Sequence, residues 1–518
     1  MILRKRLVAL AALSLPIGPV VAQNAPAPTP ASVPGTPTDT AALLRKIEDQ
    51  ERRIEALEHK LQHQEELEAE ASQKSAAERA ATPTPASTST AGATAAVAGQ
   101  AAISATNTTQ AAAGTVIAGP SGLFIQSNDG ANVIRFRGNL AVDGRWYSDH
   151  VTPETADTWL FRRVRPYFEG TLDRIYDFRF MPDFGNGKSI IVDAFVTGRF
   201  QPWFVVQAGK FKGPVGLERL QPDQFNRFME LGLPSSLVPN RDLGVQIGGD
   251  IGGGILGYAV GYFDGTTDGN STDANTSPDV DNDGKKDIEG RLFSQPFVKS
   301  DNPWLRGFGL GVGGTYVNST GSATNTLLAS YKTPGQQTFF TYRTGATATY
   351  ADGKRERWTP QFYYYAGPFG AIGEYVDSRQ DVSRHVTQTL KRSATLDNTA
   401  WQISLSYFLT GEKAAYNSYT PLSTFEPGKS GWGAWEIAAR FHQLQIDDAA
   451  FAGGGSSFAD PTVSPRRAIA YGVGLNWYLN QNVKWMLDYE RTRFDGGSKT
   501  GGDRPDENAL LTRFSLVY

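Results

Sequence analysis

The sequence predicts an all-β protein: a 16-stranded antiparallel transmembrane β-barrel with an inserted constriction loop, preceded by a short N-terminal coiled-coil helix. Three observations predict it. The 518 residues contain no Cys but 55 Gly, 28 Phe and 20 Tyr, a profile that suits an outer-membrane barrel at low overall hydropathy. Apart from the extreme N-terminus, no apolar run approaches the ~18 residues of a membrane helix. From Asn132 onward, sixteen segments alternate apolar and polar residues at the two-residue period of a strand, joined by turns that are alternately short and long. A soluble all-β sandwich or propeller shares the composition.

The N-terminal region is of a different kind. Residues 1–22 read as a signal peptide, with Arg4, Lys5 and Arg6 before a short apolar core and Val20-Val21-Ala22 as a small-residue cleavage site. Residues 23–38 form a Pro/Ala-rich disordered leader. In residues 39–80, Ile47, Ile54 and Leu61 fall seven apart, with Leu43 and Leu57 at the second seam position of a coiled coil. So polar a helix is marginal alone, and self-association as a trimer buries its seam. A solvated charged helix is the alternative, because Gln50 and Gln64 stand in that seam. Residues 81–114 are a flexible linker, and residues 115–518 the barrel domain. This order places the N-terminal segment in the periplasm of a Gram-negative cell, where the coiled coil is a candidate contact to the cell wall.

Charge separates along the chain. Residues 1–22 contribute +3, residues 39–80 −4 and Asp264–Gly290 −6, so a total of −3 leaves +4 on the remainder. The barrel body is basic. Its first strand, VIRFRGNLAVDGRWY, sets Ile134, Phe136, Leu140, Val142 and Trp146 on one face and Arg135, Arg137, Asn139, Asp143 and Arg145 on the other. Lipid requires the apolar face outside, so these arginines face the lumen. In the next strand Leu160, Val164 and Phe168 point outward and Arg163, Arg165, Tyr167 and Glu169 inward; Arg179 is inward in the third.

Between the strands WFVVQAGKF and LGVQIGGD lies Lys212–Asp242, a stretch without alternation that is rich in Pro, Arg and packable Phe, Met and Leu. Loops of that length are usually functional or disordered, and the apolar residues argue for one folded into the barrel mouth. Lys212, Arg219, Arg227, Ser235, Ser236 and Arg241 are its candidate anion-binding residues. Pairing of its arginines with Glu218, Asp223, Glu230 or Asp242, merely to hold the loop, is the structural alternative. Guanidinium groups present planar paired donors that match phosphate oxygens, and several moderate sites in series suit conduction better than one tight site. Two further long segments, Asn318–Arg355 and Gly411–Ser430, resist assignment; the second falls on the short-turn side, so it is either an insertion or a sign that the strand count is off by one.

Other chemistry has weaker signals. Asp279, Asp281, Asp283 and Asp287 have the oxygen spacing of a calcium loop, but Gly290 occupies the position of its closing Glu, so a solvated acidic loop is the competing reading. His150, His385 and His442 have no Ser or carboxylate at a recognisable catalytic spacing, and no phosphate-cradling Gly loop or zinc pattern is present. An enzyme and a nucleic-acid partner are therefore not expected.

The segments LFRRVRPYFEG, QAGKFKGPVGLE, NRDLGVQIGGD, YFDG, YYYAGPFG, EYVDSRQDV, YFLTGE, WGAWEIAARF, GLNWYLN and MLDYERTRF, in that order, resemble the phosphate- and polyphosphate-selective outer-membrane porins from Trp159 to Tyr518. The resemblance implies a trimer of sixteen-stranded barrels, an arginine ladder leading to a narrow throat, and lysines along the exit. It makes 212–242 the throat loop, makes 318–355 and 411–430 further inward-folded segments, and matches Arg162 and Arg163 to the throat pair. Strand alternation alone turns Arg162 outward unless a bulge intervenes. The expected function is an anion-selective diffusion channel for phosphate or polyphosphate in outer-membrane lipid. A channel of the same fold for a sugar, amino acid or organic acid, and an envelope tether acting through the coiled coil, are the competing readings.

Overall fold

The computed structural model describes residues 114–119, 122–148, 156–271, 279, 281 and 283–518. The expected signal peptide, leader, coiled coil and all of the linker but Gly114 lie outside the described residues.

In chain order the strands are β1 Thr115–Gly119, β2 Gly122–Gln126, β3 Val133–Tyr147, β4 Thr158–Leu172, β5 Tyr176–Asp183, β6 Ile190–Gln201, β7 Phe204–Lys212, β8 Arg241–Ile251, β9 Leu256–Phe263 and β10 Asp287–Ser294. They continue as β11 Phe308–Thr320, β12 Tyr331–Lys332, β13 Thr338–Phe340, β14 Thr349–Ala366, β15 Phe369–His385, β16 Lys391–Phe408, β17 Ala434–Gln445, β18 Pro465–Tyr478, β19 Val483–Gly496 and β20 Glu507–Val517. β3 to β11 and β14 to β20 make the sixteen-stranded antiparallel wall, closed where β20 pairs with β3 from Ala509↔Tyr147 to Val517↔Asn139. Closure leaves no unpaired edge in this wall, as a lipid environment demands. The hairpin β1–β2 pairs with the start of β3, from Leu123↔Phe136 to Gln126↔Val133, and so extends the wall beyond the chain end at Tyr518.

The alternation works as expected along most strands. Ile134, Phe136 and Leu140 are exposed on the outside, as are Leu510, Phe514, Leu516 and Tyr518 on the closing strand, while Asp143 is fully buried in the interior. Gly252 and Gly253 turn β8 into β9 with φ of 70° and 68°, a conformation glycine adopts without a Cβ penalty.

Two local readings are corrected. The register of β3 on β4 slips between Ala141↔Arg163 and Val142↔Phe161, which leaves Arg162 as a bulge residue. The bulge turns Arg162 inward and reverses the parity above it. Trp159 and Phe161 are 60% and 59% exposed on the outside, whereas Leu160, expected outside, pairs with the inward Asp143. The second correction concerns 318–355: β12 and β13 form a small hairpin inside it, and β14 already begins at Thr349.

Among the described residues the interior is filled by the throat loop and two further long insertions, and the 446–464 loop adds Ile446, Phe451 and Phe458 to the same core. From the long-loop side, the 321–348 segment packs Tyr331, Phe339, Phe340 and Tyr342 against Val215, Leu233, Leu237 and Val238 of the throat loop and against Val376, Val382, Leu396, Ala400, Leu444, Ala468, Ala470 and Phe494 of β15 to β19. From the short-turn side, residues 409–433 rise beneath the throat loop: Tyr416 donates to the Leu217 carbonyl at 2.5 Å, and Tyr419 meets Phe225 edge-on at 5.6 Å. The count of sixteen therefore stands, and the long short-side connection is an insertion. The apolar core lies inside the lumen, against one side of the wall.

Candidate functional site

The throat loop folds as a helical turn, Leu217–Leu220, and two 3-10 turns, Asp223–Phe225 and Leu233–Ser236. So little regular structure leaves many backbone groups to satisfy, and charged side chains of the wall do so. Leu217 N donates to Glu374 at 2.7 Å, Met229 N to Asp488 at 2.7 Å and Leu233 N to His442 Nδ1 at 3.0 Å. Lys484 donates to the Asn226 carbonyl at 2.7 Å. Arg440 spans Glu218 (3.2 Å) and Glu490 (2.6 Å) while donating to the Glu230 carbonyl. His442 is thus a loop anchor.

The loop divides the open part of the lumen. On its long-loop side is a cavity of about 470 Å³ lined by nine cations (Arg145, Arg162, Arg163, Arg165, Lys188, Lys212, Arg219, Arg241, Lys332) and four carboxylates (Asp183, Asp223, Glu230, Asp268). On the short-turn side a second cavity of about 420 Å³ is lined by Gln207, Gln246, Asp250 and Arg291, and Lys212 borders both.

Cation pairing decides what the first cavity can bind. Glu230 is held by Arg162 through two bonds of 2.8 and 3.0 Å, by Arg145 at 3.1 Å and by Arg513 at 3.3 Å. Arg513 also grips Asp143 at 2.6 and 2.8 Å. Asp223 takes Arg165 at 2.6 Å, Arg163 at 3.0 Å and Lys212 at 3.9 Å; Arg165 reaches Asp183 at 2.7 Å as well. Arg241 bonds Asp193 at 2.7 Å. Burial pushes the Asp223 carboxyl up, but Arg163, Lys212 and Arg165 outweigh it and hold it well below the ordinary carboxylate value. Arg162 similarly overcomes the burial of Glu230 and keeps it ionised. Arg219, Lys188 and Lys332 have no carboxylate within ion-pair distance among the described residues. Arg219 donates to the Ser235 carbonyl at 2.5 Å, and burial lowers its guanidinium to about 10, so it stays charged at neutral pH. Ser235 is 2% exposed, its hydroxyl has no partner among the described residues, and it lines the same cavity as Ser236.

The expected site residues fall into three groups. Arg145, Arg162, Arg163, Arg165, Lys212, Arg219, Ser235, Ser236 and Arg241 meet at the first cavity. Arg135, Arg137 and Arg179 lie nearer the short turns and are not part of it. Arg137 and Arg179 share Glu169, at 2.7 and 2.6 Å, and Arg135 stands 5.8 Å over the Phe124 ring of β2. Arg227 is an anchor, bonded to Glu436 at 3.1 Å and to the carbonyls of Phe225 and Ala415. The four calcium candidates do not converge: Asp279 bonds Lys210, Asp281 bonds Lys286, Asp283 caps Lys285 and Thr320 backbone N–H groups, and Asp287 pairs with Arg355 and Arg357. Among the described residues no three acidic or His side chains are grouped to hold a metal, so the calcium reading is not carried forward. Sequence reasoning missed Lys188, which lies in a loop, and Lys332, which lies in the two-residue strand β12 of an inserted hairpin; alternation is silent at both. It also passed over Arg513, whose inward position follows from the outward Phe514.

A family model described as "Phosphate-selective porin O and P" matches residues 134–518. Porin O of Pseudomonas aeruginosa is 25% identical over 162 residues, 31% of this chain; the match spans about a third (35%) of that relative's length. Among solved structures, the anion-selective porin from Comamonas acidovorans is similar at 12% identity and a TM-score of 0.44, over 75% of this chain and 100% of that one. The outer membrane channel DcaP of Acinetobacter baumannii is similar at 8% identity and a TM-score of 0.45, over 76% and 99%. At that distance neither structure bears on what this chain carries.

Proposed function

Because this chain belongs to the family of phosphate-selective porins O and P, we propose that it is an outer-membrane diffusion channel that favours anions, with phosphate or polyphosphate as its solute. The observation that carries this reading is the excess of nine cations over four carboxylates around the throat cavity. An anion entering there exchanges water for fixed donors. Arg219 and the Ser235 hydroxyl provide donors not already engaged by carboxylates, Arg163, Arg165 and Lys212 share one carboxylate, and Arg162 and Arg145 are kept in place by Glu230. At an effective dielectric near 20, one charge pair at 4 Å contributes about 4 kcal/mol before desolvation is subtracted. Several partly neutralised cations therefore hold an anion without trapping it, and Lys212 hands it to the lower cavity. Assembly as a trimer through the 39–80 coiled coil, with the N-terminal segment in the periplasm, is part of the same proposal.

The test is planar-bilayer conductance of the purified protein. A KCl gradient is expected to give a reversal potential on the anion side, with chloride current blocked by added phosphate and pyrophosphate. Cation preference would overturn the reading; anion preference without phosphate block would leave an anion channel for another solute, such as an organic acid.

A further inference from the structure

The outside of the barrel carries a groove of about 490 Å³ over β18 and β19, lined by Tyr471, Val473, Tyr489, Arg491 and Arg493. Its floor is apolar: Tyr471, Val473 and Tyr489 are 44%, 56% and 43% exposed. Arg491 and Arg493 continue the outward row of Tyr489 at two-residue steps. An outward arginine is costly at the middle of a bilayer and tolerated near its edges, so their height matters.

Aromatic girdles fix that height. Toward the short turns Trp435 stacks on Trp477 at 5.1 Å, with Trp485 beside Phe514 at 6.4 Å. Toward the long loops Trp401, Phe441 and Tyr471 form a row at 5.0 Å spacings, and Tyr471 is the register partner of Arg491. With a rise of about 3.4 Å per residue and a tilt of about 40°, Arg491 and Arg493 lie roughly 16 and 21 Å above Trp485, within an apolar band of about 25 Å. Their side chains extend upward to headgroup depth. One carboxylate serves both there: Asp506 is 2.8 Å from Arg491 and 3.8 Å from Arg493, whose side chains remain 51% and 62% exposed. The result is a net positive charge above an apolar floor, at the water edge of the lipid belt.

We infer that this groove seats a lipid whose headgroup bears a phosphate monoester, its phosphate between the two guanidinium groups and an acyl chain along Tyr471, Val473 and Tyr489. Two guanidinium forks match phosphate oxygens, and girdles at both edges mark this face as lipid-contacting. The inference needs only the membrane-spanning barrel and stands apart from the solute of the channel.

The full chain, reconstituted in phosphatidylcholine nanodiscs with a minor fraction of phosphatidic acid, is released into detergent, and retained lipid is counted by native mass spectrometry. Wild type is expected to retain phosphatidic acid preferentially, and the Arg491→Gln/Arg493→Gln double variant to lose that preference about tenfold or more, as the loss of charge-assisted bonds implies. Asp506→Asn, which releases both arginines, is expected to strengthen it and serves as the readout should the double variant not fold. Equal retention by all three proteins overturns the proposal. So does displacement of the lipid by soluble glycerol phosphate at matched concentration, which would make this a free-phosphate site. A double variant that loses subunit association with unchanged lipid preference would make the face a contact between copies and equally end it.

Discussion

Asp223→Asn removes the one carboxylate shared by three throat cations while keeping the side chain's volume. Asp223 receives Arg165 at 2.6 Å, Arg163 at 3.0 Å and Lys212 at 3.9 Å, so an anion that replaces water among those groups sits roughly 5 Å from its negative charge. Between effective dielectrics of about 20 and 80, two unit charges at about 5 Å repel by roughly 3.3 to 0.8 kcal/mol. Removing that repulsion is predicted to lower the phosphate concentration that half-blocks chloride current by about four- to three-hundredfold. Single-channel phosphate current is expected to fall at the same time, because a deeper site releases its ion more slowly. The assay is a phosphate titration of chloride current in planar bilayers, with heat-modifiable gel migration confirming a folded barrel. A folded variant with unchanged or weaker block would refute the reasoning: the solute would then not pass among Arg163, Arg165 and Lys212.

Three further predictions follow from the same charges. Arg163→Ala removes a throat cation and is predicted to shift the reversal potential toward zero and weaken phosphate block; an unchanged reversal potential removes Arg163 from the pathway. Arg227→Met leaves the fully buried Glu436 with the Tyr478 hydroxyl but without its ion-pair partner, a change expected to cost about 3–5 kcal/mol of loop docking. It should appear as protease cleavage within 213–240 of a barrel that otherwise resists digestion, and equal resistance to wild type contradicts the anchor role. For pH, the Asp223 carboxyl is depressed, so its contribution is complete above its unfolded value near 3.9 and is lost only as pH falls through its lower folded value. The difference in chloride selectivity between wild type and Asp223→Asn is therefore expected to persist from neutral pH down to about 4, and its loss within that window is incompatible with the pairing described.

Strand number and the place of the throat loop were legible because both are local properties of the chain. A two-residue period shows in any single segment, and the chain from Lys212 to Asp242 visibly lacks it. Alternation also put Arg163 inside, yet it misplaced Leu160 and turned Arg162 outward, because a bulge is a fault of register between two strands and leaves no mark in the period of one. The 411–430 segment looked like a possible miscount for a similar reason: its role depends on Tyr416 meeting Leu217 and on Ala415 meeting Arg227, contacts made far along the chain.

By itself, then, the sequence determined a basic barrel interior and the arginine-bearing strands that face it, since lipid outside admits only one orientation of each alternating face. The tertiary structure decided which of those cations remain available. Arg513 meets Asp143 across 370 residues of chain, Arg227 meets Glu436 across 209, and Arg162 meets Glu230 across 68. Charge neutralisation depends on distances of a few ångströms in space, and only closure of the wall and docking of the inserted loops set those distances.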